Sequence, residues 1–501
     1  MNPRTPAVLA TIAVLLAGCA VGPDYRATEA RLPSAWHGLP AAGDASTTVG
    51  GKAPLAEWWT TFRDPVLDSL VDRALAANPD LRLAQSRVRE ARALRGVAEA
   101  ELGPNVDASG SWTRTRGGGL VAPRADGDLF LAGFDVSWEI DVFGGVRREV
   151  EAADADLSAT VEDRRDVLVT VLAEVARNYI ELRGFQQSAS IARANLQAQR
   201  ETLDLTRTRL DAGLASDLDV ARAEAQVRTT ASEIPVLESA SRRSVHALSL
   251  LLGREPGALG SELSREGAVP PSPAEVPVGL PSDLLRRRPD VRRAERQLAA
   301  ATARIGAATA DLFPRFSLTG AFGVAGADSG DMVGSDGPFW SVGPAVRWPL
   351  LDFGRVRSRI AVQGAREEQA AIAYEGTILR GLREVEDALV SFSREQARRQ
   401  ELAGAVESGR RAVGLAGDLY REGRSDFLSV LQAQRDLYAA EDALVRSDRT
   451  VAATLVSLYK ALGGGWEIES RAADGAPAGE PGARVVDLVA GAPPAAPPRG
   501  R

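Results

Sequence analysis

The 501-residue sequence predicts an internally duplicated α+β membrane protein with four membrane-crossing strands in each chain. Three observations carry that expectation. One offset of self-similarity runs along most of the chain, two pairs of runs of about ten residues alternate apolar with polar, and two long proline-free stretches leave room for helices of about 100 Å.

Composition and charge set the outer bounds. With 45% hydrophobic and 25% charged residues the chain reads as folded and water-facing. Lys+Arg 60 against Asp+Glu 67 gives a formal charge of -7, without the basic surplus that a phosphate backbone demands, which argues against nucleic acid as a partner. At the N-terminus Arg4 precedes an apolar run from Ala7 to Leu16, and the small residues Ala17 and Gly18 lead into Cys19. This is the pattern of a secretory signal, too short for a stable bilayer anchor. Leu16-Ala17-Gly18-Cys19 resembles the lipobox of bacterial lipoproteins. The resemblance implies that Cys19 is acylated and becomes the first mature residue, tied to membrane lipid. Ala20 follows in place of the Asp that tends to retain lipoproteins at the inner membrane, which implies the outer one. The competing reading is an ordinary signal with an incidental cysteine. Cys19 is the only cysteine, so no disulfide forms within the chain.

The repeat offset is 210 residues. It pairs Pro79-Asp80 with Pro289-Asp290, Pro104 with Pro314, Trp138 with Trp348, and Phe143-Gly144 with Phe353-Gly354. Further on it pairs Gly213 with Gly423, Leu218 with Leu428, and Leu252-Gly253 with Leu462-Gly463. A register held this far makes the chain two copies of one structural unit.

Each unit opens with a helix. Asn78 caps it, Pro79 suits its first turn, and Leu81, Ala84, Val88, Ala91 and Leu94 recur at helical spacing until Gly103-Pro104 stops it. The period then changes to two. Val106, Ala108, Gly110 and Trp112 share one face, and after a polar loop containing Gly117-Gly118-Gly119, Phe134, Val136, Trp138 and Ile140 alternate with Asp135, Ser137 and Glu139. In the second unit Phe316, Leu318, Gly320 and Phe322 alternate with Ser317 and Thr319, and Val342, Val346, Trp348 and Leu350 with Ser341, Ala345 and Arg347. Such runs match tilted membrane strands, and a soluble hairpin with one face on a core would alternate in the same way. Trp138 and Trp348 close their strands, where an indole suits a membrane interface.

No proline occurs between Pro123 and Pro235 or between Pro349 and Pro477, so a helix can run from Gly145 to Asp211. Helices of that length need partners along their whole extent, and small residues such as Ala152, Ala159 and Ala173 suit close packing. At Gly213 and at Gly423 the chain reverses, with Asp217 and Asp426 close by as caps or turn residues, and a return helix follows.

Four strands cannot close a barrel, and an open edge in lipid leaves backbone groups unpaired, so copies must associate. Two copies give eight strands with a filled interior. Three give twelve and an aqueous lumen.

Val21-Gly22-Pro23-Asp24-Tyr25 after the lipobox, then Trp58-Trp59 with Phe62, Asp64-Pro65 and Leu67, resembles the start of the lipoprotein branch of the outer-membrane factor (TolC-like) family. The junctions Asp141-Val142-Phe143-Gly144 and Leu351-Asp352-Phe353-Gly354 look like that family's motif, as do the segments Gly213 to Gln226 and Tyr420 to Arg435. The resemblance covers nearly all of the chain to about Leu462. It implies a homotrimer with a twelve-stranded barrel continued by a long helical barrel in the periplasm. It also implies two further partners, a periplasmic membrane-fusion adaptor and an inner-membrane RND-type pump, and with them the export of drugs or other small toxic compounds. At the helix tips it implies hydrogen bonds between Asp219 and Tyr420 of neighbouring helix pairs, and a constriction at Leu428 and Gln432. Gln432 departs from the acidic residue usual there, which Asp426 could supply. Arg435 is either a gate salt-bridge partner or a solvated helix charge. Read this way, the chain divides into a signal (1–18), a lipidated arm with an equatorial segment (19–69), a first repeat (70–253), a Pro- and Gly-rich linker (254–281), a second repeat (282–463) and a disordered tail (464–501).

An enzyme is not expected, and neither is a cofactor or a metal. His37 and His246 are the only histidines, the single cysteine is acylated, and the acids show no paired motif. Two other functions compete: the exit duct of a type I protein-secretion system, against which the lipoprotein branch argues, and a structural spacer across the periplasm, against which the repeated hairpins argue.

Overall fold

The computed structural model describes residues 20–27, 32–37, 47–48, 55–116, 126–273, 276–278, 280–328, 330–335 and 337–468. Cys19 and the Gly117–Gly119 loop lie outside them. The elements come in pairs at the expected offset. Helices α1 (Pro65–Ala77) and α2 (Pro79–Ala100) lead into strands β1 (Asn105–Arg116) and β2 (Asp126–Ile140), then α3 (Gly145–Asp211) and α4 (Asp217–Leu251). One helical turn (Leu284–Arg287) leads into α5 (Pro289–Ala310), then β3 (Arg315–Gly326), β4 (Pro338–Arg347), α6 (Arg355–Arg421) and α7 (Phe427–Ala461). Both α3 and α6 have 67 residues, and both α4 and α7 have 35, so the helical unit is the same size twice. Two details differ from the sequence reading. Strand β4 stops at Arg347, because Pro349 has no N–H for a ladder, and Leu350 is left 78% exposed. Helix α4 continues through Pro235, which forgoes one helical bond at that turn.

The chain divides into two units, each drawn from both repeats. The first holds the N-terminal arm as far as Ala30, with Arg87–Glu162 and Arg292–Gly376. Its sheet is an antiparallel meander in the order β1-β2-β3-β4, in which β2 joins the hairpins by pairing with β3 from Phe130↔Gly326 to Ile140↔Phe316. Opposed residues share a face. One face carries Val106, Trp112, Phe134, Phe322, Trp340 and Val346, all exposed, with Trp340 at 76%. The other carries Ser109, Ser111, Asp135, Ser137, Ser317, Thr319 and Ser341.

The second unit holds Arg31–Ser86, Asp163–Val291 and the chain from Thr377 on. Its core gathers Trp58, Phe62, Leu67 and Leu70 against Leu172, Tyr179, Leu248, Leu389, Phe392, Leu455 and Tyr459, all buried. Trp58 stacks on Tyr459 at 5.3 Å and meets Trp59 edge-on at 5.9 Å. The expected linker 254–281 is packed here: Leu259, Leu263, Val276 and Val278 are buried, Val276–Pro277 bridges Thr47–Thr48, and Gln186 donates to the Leu263 carbonyl at 2.7 Å. Its Pro and Gly shape turns between those anchors. Residues 464–468, grouped with the tail by composition, also pack, and the Trp466 indole donates to the Arg287 carbonyl at 2.8 Å.

Candidate functional site

Three places bear on the expectation of a duct: the strand roots, the sheet faces and the helix tips. At the roots, Trp138 donates its indole N–H to the Leu102 carbonyl at 2.9 Å, and Trp348 does the same to Leu312 at 3.1 Å. Each bond ties the end of a short helix to the end of a strand, at equivalent points of the two repeats. The arm docks beside the first root. The Val21 N–H donates to the Phe143 carbonyl at 3.0 Å, and the buried Arg148 grips Asp24 at 2.6 Å and Glu151 at 2.7 Å. Gly22 lies so close to Gly306 that a Cβ on it would meet the Gly306 Cα at 2.4 Å, and the Tyr25 hydroxyl reaches Glu295 at 3.2 Å. Burial and the Glu295 charge push the Tyr25 phenol up to about 12. A cavity of about 730 Å³ between the roots is lined by charges of both signs, among them Glu139, Asp311, Arg315 and Arg359. Among the described residues no group of His, Cys, Asp and Glu could hold a metal.

At the tips, Gly213 and Gly423 both have φ +72, a left-handed conformation that a side chain would strain. Leu214 N–H bonds back to the Arg209 carbonyl at 2.7 Å and Arg424 N–H to Leu419 at 2.8 Å, which closes each long helix. The return helices start on caps at equivalent positions. Ser216 and Asp219 form a reciprocal box on α4, and Asp426 accepts from the Ser429 amide on α7 at 3.1 Å. The Ser429 hydroxyl and amide hold the Asp426 carboxyl below the usual carboxylate range. Asp217 sits in the first turn beside the cap, where its charge favours the helix start.

The structure does not bring Asp219 and Tyr420 together within the chain. Asp219 turns to Ser216, its carboxylate 2.7 Å from the Ser216 hydroxyl. Tyr420 is 4% exposed, edge-on to Phe427 at 6.0 Å with the Arg209 guanidinium 4.7 Å from its ring, and its hydroxyl has no partner among the described residues. Leu428 is half-exposed, Gln432 donates to Asp436 at 2.8 Å, and Arg435 donates to Gln226 at 2.5 Å.

Sequence reasoning missed the joint that closes each repeat. Asn78 donates to the Leu251 carbonyl at 2.8 Å while capping α2. At the equivalent point Arg288 donates to the Ala461 carbonyl at 2.8 Å and pairs with Asp290 and Glu384, both at 2.8 Å. Burial pulls the Arg288 pKa down, yet the two carboxylates outweigh it and the net shift is upward. The signal was present in the repeat itself, as an Arg standing where the first copy has Asn.

A profile of the outer membrane efflux protein family matches residues 70–254 and 280–464. Nodulation protein T of Rhizobium leguminosarum bv. trifolii is 32% identical over 92% of this chain and 97% of its own length. The solvent efflux pump outer membrane protein SrpC of Pseudomonas putida is 32% identical over 91% of this chain and 97% of its own. Among solved structures, the outer-membrane channel OprN superposes with a TM-score of 0.83 at 37% identity, over 90% of this chain and all of that one. With an exposed apolar sheet face, paired strand roots and capped helix tips of the same design, this chain belongs to the outer membrane efflux protein family and is an efflux channel of the outer membrane.

Proposed function

We propose that three copies close a twelve-stranded barrel and form the exit duct of a tripartite efflux system, fed by an inner-membrane RND-type pump through a periplasmic adaptor. Small toxic compounds are its cargo, as the names of solvent and toluene efflux relatives suggest. One observation carries the assembly: a four-stranded sheet with an exposed apolar face, whose outer strands β1 and β4 each pair on one side only among the described residues. Such a sheet satisfies neither water nor lipid until its edges are joined. Purified protein in detergent should therefore have the mass of a trimer by light scattering. A monodisperse monomer that keeps its strand signal in circular dichroism contradicts the barrel. Deleting the gene should sensitise cells to solvents or lipophilic antibiotics.

On this reading Trp138 and Trp348 mark the periplasmic boundary of the barrel, and Asp219, Tyr420, Asp426, Leu428, Gln432 and Arg435 form the gate at the tips, on the turns set by Gly213, Asp217 and Gly423. Cys19 carries the lipid. Ala20, the next residue, lies against Gly144 at the root of β2, with its Cα 2.7 Å from where a Gly144 Cβ would stand, a depth that suits an acyl anchor. Cys19→Ser should abolish palmitate incorporation, since serine offers no thiol to acylate. Lipid found on the mutant, or missing from the wild type, removes the assignment. Trimers should still form, because the barrel holds them in the membrane by itself.

A further inference from the structure

We propose that the cavity between the strand roots binds small cargo that carries a positive and a negative charge on one apolar body, its cation against the first repeat and its anion against the second. The proposal rests on the duct reading above, which puts the polar face of the sheet on the path of the cargo, and it names the class of cargo that this face favours. The observation behind it is a separation of charge by repeat. From the first repeat the walls take Glu101, Glu139, Asp141 and Glu149 and no basic residue, whereas from the second they take Arg304, Arg315, Arg355 and Arg359 against one acid, Asp311. Two copies of one unit should present like surfaces. Here Glu149 stands where the second copy has Arg359, Asn105 where it has Arg315, Gly145 where it has Arg355, and Leu94 where it has Arg304. The split continues along the polar face of the sheet, where Asp107 is opposed to Asp135 in the first hairpin and Arg315 to Arg347 in the second. Like charges directly opposite weaken a sheet, so its own stability accounts for neither pair.

The cavity has both the room and the free groups for such a molecule. Its volume of about 730 Å³ suits one drug-sized ligand, and Ile140, Val146 and Val362 give its walls an apolar part. Some of the charges cancel across it. Arg315 lies 3.5 Å from Glu139 and also holds Asp311, and Arg359 is 3.8 Å from Asp311. Arg147 pairs with Asp141 at 3.2 Å, and Arg304 with Asp156. Glu101 and Glu149 on one side make no side-chain hydrogen bond or ion pair among the described residues, and neither does Arg355 on the other, beyond feeling the charge of Asp352 nearby. These three remain for a ligand. The docked arm does not compete for the space: none of its described residues lines the cavity, and Arg148 and Gly306, against which it sits, are not among the walls. A singly charged molecule is drawn to one wall and repelled by the other, whereas a molecule with both charges is drawn to both. Because the free groups are exposed, the attraction is weak and screened by salt, so cargo dwells there and leaves.

Three probes that share one fluorophore test the site, titrated against the full-length protein in phosphatidylcholine nanodiscs: Nα-dansyl-lysine, which carries both charges, dansylglycine, an anion, and dansylcadaverine, a cation. At low salt Nα-dansyl-lysine should bind about fivefold more tightly than either of the others, the worth of one exposed charge pair at the top of its range. Molar salt should remove the preference. Glu101→Gln with Glu149→Gln should shift the preference to dansylglycine, and Arg355→Gln with Arg359→Gln should shift it to dansylcadaverine. Equal affinities for the three probes in the wild type, or a preference for Nα-dansyl-lysine that both double variants keep, overturns the site. Light scattering of the same preparations before reconstitution reports the assembly separately. A monomer that keeps the preference overturns the duct reading and leaves the site standing.

Discussion

Arg288→Leu should destabilise the second unit by about 3 kcal/mol, at the low end of what removing one partner of a buried ion pair costs. The guanidinium is buried and serves three acceptors, the Asp290 and Glu384 carboxylates and the Ala461 carbonyl. Leucine fills part of the space and takes the guanidinium from all three, leaving Asp290 only the Val291 N–H at 2.9 Å. Glu384 is 45% exposed and can turn to water, which is why the loss stays near the lower figure, whereas Asp290 at 17% cannot follow as far. Denaturant titration of the helical signal at 222 nm would read the loss. Arg288→Leu combined with Asp290→Asn and Glu384→Gln should recover more than half of it, because the stranded charges are then gone. A single variant as stable as the wild type would mean that the cluster is already solvated.

The second large effect is functional. Asp219→Ala with Tyr420→Phe should raise single-channel conductance in planar bilayers and make cells leaky to large antibiotics such as vancomycin. Among the described residues the Tyr420 hydroxyl has no bond to lose, so Tyr420→Phe isolates any bond it makes to a neighbouring copy. Each such bond contributes only about 0.5–1.5 kcal/mol, but three-fold symmetry repeats it, and losing all three moves a closed population by several kcal/mol. Asp219→Ala also removes half of the capping box on α4, worth roughly 1 kcal/mol. Ser216→Ala is therefore the control, since it breaks the same box and spares the carboxylate. If Ser216→Ala opens the channel as far as the double variant does, the cap explains the gain and the bond between copies is abandoned.

Much of the fold was legible in the sequence because its strongest signals are local. Helix α3 runs from Gly145 to Asp211 as expected, since absent prolines and a left-handed Gly213 bound it without reference to the rest of the chain. The sheet faces were legible from alternation alone. The pairing of β2 with β3 was not, since Ile140 and Phe316 meet only because the two hairpins are brought side by side. The linker misled because Pro and Gly dominate its composition, while the four apolar residues that bury it are too sparse to show a period. At the helix tips, sequence located the turns but could not show that Tyr420 is turned inward or that Asp219 is occupied by Ser216, which are matters of rotamer and packing.

The docked arm bears on the order in which the molecule is made. Tyr25 meets Glu295 across 270 residues of chain, and Gly22 can settle against Gly306 only after α5 exists. Contacts of that separation close late, because the loop they complete must first be ordered. The arm leaves the ribosome ahead of everything it docks against and finds its seat among the last. Through that interval it is a leash, and if the lipid is attached at its end, the leash holds the unfolded remainder at the membrane surface while the helices form. Docking then shortens the leash to nothing.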